Sequence, residues 1–261
     1  MTETIAPPPL DPTSEPSAEA AAHPAWLGDA RVSVVIPALD EAENLPHVLP
    51  RIPPWVHEVI VVDDHCTDDT VAVARRLRPD VRIAVNERPG GKGNALRAGF
   101  EAVTGDIVVQ VDADGSEAPE EIPAFVGALL SGADYAKGTR FVPGGGTSDM
   151  TRLRMYGNKA FVWMVRGLFG ARFTDLCYGY NAFWARVIPD LALDARGFEI
   201  ETMINLRAHK AGLKIREVPS FEDDRVHGEG RLLTFPDGWR VLRTIVRERL
   251  AGGGRPARAG A

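Results

Sequence analysis

The sequence predicts an α/β fold: a Rossmann-like, mostly parallel central sheet flanked by helices, with a more irregular second half. Two observations predict it. Short runs rich in Val and Ile alternate with helix-period segments through the first half, which is the mark of βαβ units. Several of those runs also stop abruptly at Pro or at acidic residues. Val32 to Ile36 reads as a buried strand closed by Pro37, followed by a short helix over Glu41 to Arg51 with Asp40 as its N-cap. Val59 to Val62 is the next strand and ends at Asp63-Asp64. Thr67 or Asp68 caps a helix whose Val71, Ala74 and Leu77 share a face. Val81 to Val85 is a third strand. The glycine-rich Arg88-Pro-Gly-Gly-Lys-Gly segment then leads into a helix through Leu96 to Val103, and Ile107 to Val111 forms the fourth strand.

Beyond this point the pattern loosens. Pro119 to Leu130 reads as helix and Asp134 to Lys137 as a strand running into Gly138-Thr-Arg140. Gly144-Gly-Gly reads as a mobile loop and Arg152 to Leu168 as an amphipathic helix. Asn181 to Trp184 and Lys214 to Val218 read as strands, with a helix over Glu199 to Ala211 between them. Ligands of such sheets bind beyond the carboxyl ends of the strands. Those ends carry Pro37–Glu41, Asp63-Asp64 and Asp112–Asp114, so acids from separate strands are expected at one rim.

Hydrophobic residues make up 44% of the 261, enough for a sizeable core. The formal charge of −6 argues against general nucleic-acid binding, which needs a basic footprint. Cys66 and Cys177 are far apart and lack metal-ligand spacing, so free thiols in a reducing cytoplasm are expected rather than a disulfide framework. No run reaches the ~18 apolar residues of a membrane span, and the acidic, Pro-rich N-terminus is unlike a signal peptide. Residues 1–29 and 251–261 read as flexible tails around a single folded unit at 31–250. The segment Trp239 to Leu250 aligns apolar side chains beside Arg240, Arg243, Arg247 and Arg249. Such a helix can lie on an anionic bilayer or pack on the domain with its arginines solvated. The expected location is therefore cytoplasmic, with peripheral contact at the inner face of the cell membrane.

The chemistry concentrates at Val111-Asp112-Ala113-Asp114-Gly115-Ser116. Two carboxylates spaced i, i+2 at a strand end repel each other unless a cation joins them, and a hard divalent ion held on phosphates does so. A turn with solvated carboxylates is the competing reading. Lys92, in its glycine-rich segment, can reach a phosphate or can be a solvated turn residue; the segment is not a Walker loop. Guanidinium groups at Arg140 and Arg225 offer planar forks for phosphate oxygens.

Val34-Val-Ile-Pro-Ala-Leu-Asp-Glu, Val61-Val-Asp-Asp, Gly91-Lys-Gly-Asn-Ala, Val111-Asp-Ala-Asp and Lys137-Gly-Thr-Arg follow in that order. Together they resemble the nucleotide-sugar half of family 2 glycosyltransferases with the GT-A fold. Gly197-Phe-Glu-Ile-Glu, Ile215-Arg-Glu-Val-Pro and Asp224-Arg-Val-His-Gly-Glu-Gly-Arg-Leu resemble the branch that makes dolichyl- and polyprenyl-phosphate sugars. The resemblance spans about residues 31–250. It implies an inverting transferase taking a UDP- or GDP-sugar donor and a polyprenyl phosphate acceptor, with Mg²⁺ or Mn²⁺ as cofactor. It places Pro37, Leu39, Glu41, Val62, Asp64, Lys92, Asp112, Ala113 and Arg231 at the nucleotide sugar, and Asp112, Asp114 and Ser116 at the metal. Asp114, Arg140 and Arg225 then serve transfer, the arginines binding phosphate. The chain departs from the family pattern at Leu39, often Tyr, at Ser116, often Gln, and at Gly228-Glu-Gly-Arg231, usually Gly-x-Ser-Lys.

Other readings compete. A hydroxyl acceptor would need a positioned carboxylate base, for which Asp175, Glu199 and Glu201 are candidates. Asp112-Ala-Asp114-Gly-Ser also looks like the Asp-x-Asp-Gly-Thr loop of haloacid-dehalogenase-type phosphatases, although the acidic pair Asp63-Asp64 lies on the wrong side of it. A nucleotide-sugar binder without turnover is the third reading.

Overall fold

The structure, a computed structural model, describes residues 23–251. A seven-stranded sheet runs through it in the order β3-β2-β1-β4-β7-β5-β8. The strands are β1 (Val32–Ala38), β2 (Glu58–Asp63), β3 (Arg82–Val85), β4 (Ile107–Gln110), β5 (Tyr135–Thr139), β7 (Asn181–Trp184) and β8 (Ile215–Pro219). β1 lies between β2 and β4, parallel to both, so their carboxyl ends open on one edge. β7 is inserted antiparallel between β4 and β5, and β8 pairs parallel with β5. The sheet is thus mostly parallel, as the alternating pattern predicts.

Strand periodicity sorts the core into two layers. Val32, Val34 and Ile36 of β1 face a cluster closed by α1 (Leu45–Val48), α2 (Thr70–Leu77) and α4 (Ile122–Leu130). Val35, with Ile60 and Val62 of β2, faces α3 (Lys92–Ala102) and α7 (Glu199–Lys210). α3 can lie close because of Gly99: a Cβ there would stand 2.4 Å from Val35 Cγ1 and 2.8 Å from Val62 Cγ2. Val62, expected beside the nucleotide, is accordingly a fully buried packing residue under α3 and belongs to the core.

Two helices stand apart from the sheet. α5 (Arg152–Phe169) starts from Thr151, whose hydroxyl accepts from Arg154 N, and stops at Gly170 in the left-handed region. It buries only Asn158 and Val165. α8 (Thr234–Leu250) packs on α7 through Val241 and Ile245. The packed alternative for the C-terminal segment therefore holds on that face. α6 (Ile188–Leu191) links β7 to the approach to α7.

Four local expectations change. The helix expected over Glu41–Arg51 is confined to α1 and a 3-10 turn at Leu49–Arg51. Asp40 does not cap it; its φ is +51° and its carboxylate accepts from Thr67 N at 2.7 Å, tying the loop to the turn before α2. The Gly144 loop ends in β6 (Gly146–Thr147), paired with β9 (Phe221–Glu222). The tails expected at 1–29 and 251–261 lie largely outside the described residues; within the first, Ala25–Leu27 form a 3-10 turn that buries Leu27 in the core.

Candidate active site

The carboxyl ends of β1, β2 and β4 form one wall of a cavity of about 970 Å³, completed by α5, α8 and the segment from Glu222 to Leu232. Pro37, Leu39, Glu41, Asp64, Lys92, Asp112, Ala113, Asp114, Ser116, Arg140, Arg225 and Arg231 all line it. The structure thus brings together every expected site residue except Val62. Their partners, however, revise several expected roles.

β4 gives out at Gln110, so Asp112 and Asp114 sit in the turn beyond it, which Gly115 closes at φ +82°. Asp112 Oδ2 accepts from Lys92 Nζ at 2.7 Å, and the same ammonium donates to Glu201 Oε1 at 2.7 Å. Lys92 is therefore an internal counter-ion between α3, β4 and α7, and not a solvated turn residue. Burial disfavours its charge, but Asp112, Glu201 and Glu117 outweigh that and raise its pKa above the ordinary lysine value.

The glycines around Lys92 serve the chain's own packing. A Cβ on Gly91 would meet Arg196 O at 2.6 Å and one on Gly93 would meet Ala195 O at 2.5 Å. Gly93 N donates to Arg196 O at 2.9 Å, which pins the loop to the residues preceding α7.

Two further residues of the cluster lay beyond the sequence reading. Glu117, five positions after Asp112, accepts from Asp112 N through Oε2 at 2.8 Å and is almost fully buried. Burial, and then the Asp112 charge, push its carboxyl well above the usual range. Gly179, just before β7, closes the other side. A Cβ there would stand 2.8 Å from Lys92 Nζ, 3.0 Å from Asp112 Oδ2 and 3.2 Å from Glu117 Oε1. A side chain at this position would press on the ends of all three, so glycine leaves the cluster its room.

Asp114 Oδ1 accepts from Ser116 N at 3.1 Å and from Ser116 Oγ at 2.7 Å, while Oδ2 lies 3.4 Å from Arg225 Nη1. Arg225 also donates to Glu41 Oε1 at 2.6 Å and to His227 O at 2.6 Å. It thereby bridges β1 and β4 from above. Glu41 is held in turn by Asn44 Nδ2 at 2.6 Å. Asp64 takes Asn86 Nδ2 at 2.6 Å and Gly91 N at 2.8 Å, and so organises the loop before α3. Arg231 donates to Leu39 O at 2.9 Å across the rim.

Arg140 is more tightly held than an incoming phosphate's partner needs to be. It meets both oxygens of Asp175, at 2.7 and 2.9 Å, and donates to Glu222 Oε2 at 2.9 Å and to Cys177 O at 3.0 Å. Against the upward push of burial, Arg140 and Lys137 keep the Asp175 carboxyl below its usual range. The other base candidates are likewise engaged. Glu201 holds Lys92, and Glu199 Oε1 accepts from Arg196 N and Gly197 N, each at 3.2 Å, in the first turn of α7.

The residues fit a divalent cation. Asp112 Oδ1 is buried without a hydrogen-bond partner, a state that costs free energy unless something meets that oxygen. Burial raises the Asp112 pKa, Lys92 opposes the rise, and the charge of Asp114 adds to it. Carboxylate oxygens are the hard ligands that Mg²⁺ and Mn²⁺ take, and Asp112 and Asp114 both line the cavity.

The mostly parallel sheet with an acidic rim at its carboxyl edge has the arrangement of a GT-A glycosyltransferase, and comparison with known proteins agrees. The profile of glycosyl transferase family 2 matches residues 33–190, and the chain belongs to that family. It is 34% identical over 215 residues to a polyprenol monophosphomannose synthase of Mycolicibacterium smegmatis, covering 77% of this chain and 81% of that protein. An undecaprenyl-phosphate mannosyltransferase of Micrococcus luteus is 34% identical over 213 residues, covering 77% and 87%. Among solved structures, glucosyl-3-phosphoglycerate synthase from Mycobacterium tuberculosis with Mn²⁺, UDP and glucosyl-3-phosphoglycerate superposes with a TM-score of 0.71 at 25% identity, covering 94% of this chain and 88% of that one. Family membership sets aside the dehalogenase-type phosphatase reading.

Proposed function

We propose that this glycosyltransferase moves a sugar, mannose in the first instance, from a GDP- or UDP-sugar to the phosphate of a polyprenyl phosphate, with inversion. The observation that carries the reading is the mixed lining of the cavity. The strand ends, α3 and the segment after β9 supply charge, with Glu41, Asp64, Lys92, Asp112, Asp114 and Arg225. The helices α5 and α8 supply mainly apolar side chains, with Leu153, Phe161, Phe235, Trp239, Val241 and Leu242 beside Arg154 and Asp237. A nucleoside diphosphate sugar suits the first and an isoprenoid chain the second.

The chemistry follows from the residues present. Asp64 and Glu41 supply acceptor oxygens at the nucleotide end. Asp112 and Asp114 hold Mg²⁺ or Mn²⁺, which when bound offsets the charge gathering on the departing nucleoside diphosphate. A phosphate oxygen of the acceptor attacks the anomeric carbon as the bond from that carbon to the donor's phosphate oxygen breaks, and the electron pair leaves with the diphosphate. A phosphate monoester is already ionised near neutrality, with a second pKa of about 6, so the nucleophile needs no carboxylate base. Asp175 and Glu201 are engaged by Arg140 and Lys92, and Glu199 is not among the residues lining the cavity, which supports this acceptor over a hydroxyl. Arg225 is the less deeply buried of the two guanidinium groups in the cavity, paired with Glu41 and Asp114, whereas Arg140 is held deeper by Asp175 and Glu222.

The test is a transfer screen read by mass spectrometry. Purified protein with Mn²⁺ is given GDP-mannose, UDP-glucose or other sugar nucleotides, with a short polyprenyl phosphate, phosphoglycerate or sugar alcohols as acceptors. Mannosylated polyprenyl phosphate is the expected product; transfer only to hydroxyl acceptors would refute the assignment.

No described helix is long and apolar enough to cross a membrane, yet the acceptor end is flanked by exposed apolar side chains. Tyr156 and Trp163 of α5 are 63% and 69% exposed, and Phe235 and Trp239 of α8 are 78% and 67% exposed. Arg152, Lys159, Arg166, Arg240 and Arg243 lie exposed on the same two helices. That combination suits the surface of an anionic bilayer. The protein is expected to sediment with vesicles containing phosphatidylglycerol and not with neutral phosphatidylcholine vesicles. Trp163→Ser with Trp239→Ser should release it; unchanged sedimentation of the double variant would exclude this face.

A further inference from the structure

His47 and His227 come from opposite ends of the chain and meet outside the catalytic cluster. Their Nε2 atoms lie 3.3 Å apart, with ring centroids 5.3 Å apart and the planes tilted by 49°. Neither meeting partner is loosely placed. His47 belongs to α1, and its carbonyl receives Arg51 Nη1 at 3.3 Å. His227 is fixed by Asn44, which accepts from His227 N at 2.9 Å and donates to His227 O at 3.2 Å. Both rings are exposed, so solvent reaches the nitrogens from outside.

The separation is long for a hydrogen bond to N–H, which centres near about 2.9–3.0 Å. It matches another geometry. An ion bound about 2.0–2.1 Å from each of two imidazole nitrogens at tetrahedral corners holds those nitrogens about 3.3 Å apart. We propose that His47 and His227 form a two-imidazole clasp for a borderline transition-metal ion such as Zn²⁺ or Ni²⁺, separate from the carboxylate site for Mg²⁺ or Mn²⁺. Both rings bind as neutral imidazoles. The proton one Nε2 shares with the other moves to Nδ1 of its own ring, and water fills the remaining positions. Imidazole suits Zn²⁺ and Ni²⁺, whereas Mg²⁺ and Mn²⁺ prefer the carboxylates.

The clasp has a mechanical consequence. His227 lies two residues after Arg225, in the strap that crosses the rim, and Val226 N donates to Asp114 O at 3.2 Å. The strap already lies close on the acidic turn, where a Cβ on Gly115 would stand 2.7 Å from Val226 Cγ2. A metal joining His227 to α1 therefore locks the strap, with Arg225 seated on Glu41 and Asp114. Zn²⁺ becomes a brake on any step that requires Arg225 to move.

Zn²⁺ titration of the full-length, metal-stripped protein by calorimetry, with excess Mg²⁺ and no nucleotide, tests the site. One saturable ion per chain is expected, weakened roughly tenfold or more in His47→Gln and in His227→Gln. Among the described residues, the rival cluster of three metal-ligating side chains within 4.8 Å is Asp40, Cys66 and Asp68, so Cys66→Ser is the control and should bind as the parent does. Hydrogen exchange across residues 223–229 should slow on adding Zn²⁺ in the parent and not in the histidine variants. Absence of saturable binding, or binding that survives both histidine changes, or binding lost only in Cys66→Ser, would each overturn the clasp.

Discussion

Asp114→Ala should lower transfer, measured as kcat/KM with the nucleotide sugar, by about a thousandfold, equivalent to about 4 kcal/mol of transition-state stabilisation. The reason is the double duty of its carboxylate. Oδ1 is fixed by Ser116 N and Ser116 Oγ, which sets the direction of the group, while Oδ2 faces Arg225 and the cavity. Removing it deletes one of the two oxygen donors expected to share a divalent ion with Asp112, and it unseats Arg225. The fold should survive, because Asp114 stands in a turn outside both sheet-packing clusters; unfolding midpoints should fall within the small range typical of surface changes. Asp114→Asn separates architecture from charge. It can keep the Ser116 contacts while losing the charge, so its transfer rate should stay near that of the alanine variant. A second readout is nucleotide affinity with and without Mn²⁺: the metal-dependent increase expected in the parent should vanish in both variants. Near-normal transfer by Asp114→Ala would refute the role assigned to this acid.

What could be read from the chain and what could not divides along sequence separation. The strand ends were legible because their signals are local. Val-rich runs stopped at Asp63-Asp64 and before Asp112 needed no knowledge of the rest of the fold, and a parallel sheet places such ends on one edge. The run expected to close at Pro37 instead continues through it to Ala38, in register with β2. The antiparallel insertion of β7 carried no such signal, since its four residues read as strand in either direction. The roles of the cations were hidden for the same reason. Lys92 finds Glu201 across 109 positions, Arg140 finds Asp175 across 35, and Arg225 finds Glu41 across 184. Nothing near Lys92 in the chain distinguishes a phosphate ligand from an internal counter-ion. Val62 shows the reverse error. Its neighbour Asp64 suggested the site, but the period of β2 sets Val62 beside Ile60 on the α3 side. Glu117 was within reach of a sequence argument, as a further acid in the Asp112–Ser116 turn. Gly179 was not, because its value lies in three side chains that come from elsewhere.

Lys92→Met should be the most damaging single change to stability, by about 3–5 kcal/mol near neutral pH, the usual cost of stripping one partner from a buried ion pair. Methionine matches the lysine stem in length, so packing is nearly kept and the loss isolates the charge. Lys92 is the cation that touches Asp112 and Glu201, and it opposes the rise at Glu117. Without it, carboxylates drawn from β4's turn and α7 share a buried site with no ammonium between them. Their protonated forms then become favoured in the folded protein, so the folded state holds more protons than the unfolded one. For acids whose folded pKa is raised, stability is kept at low pH and lost as pH climbs from the ordinary carboxylate range through the raised values. Burial already raises Asp112 and Glu117 in the parent, and the variant should extend that rise. Thermal unfolding followed from pH 5 to pH 8 should therefore show parent and Lys92→Met nearly together at the acidic end and increasingly apart toward the alkaline end. A constant gap across the range would mean that the lysine acts through its packing and not through its charge. Transfer should be lost across this range: at the acidic end protonation removes the negative charge on Asp112 that the donor site requires, and at the alkaline end the crowded carboxylates repel one another without the ammonium that orders them.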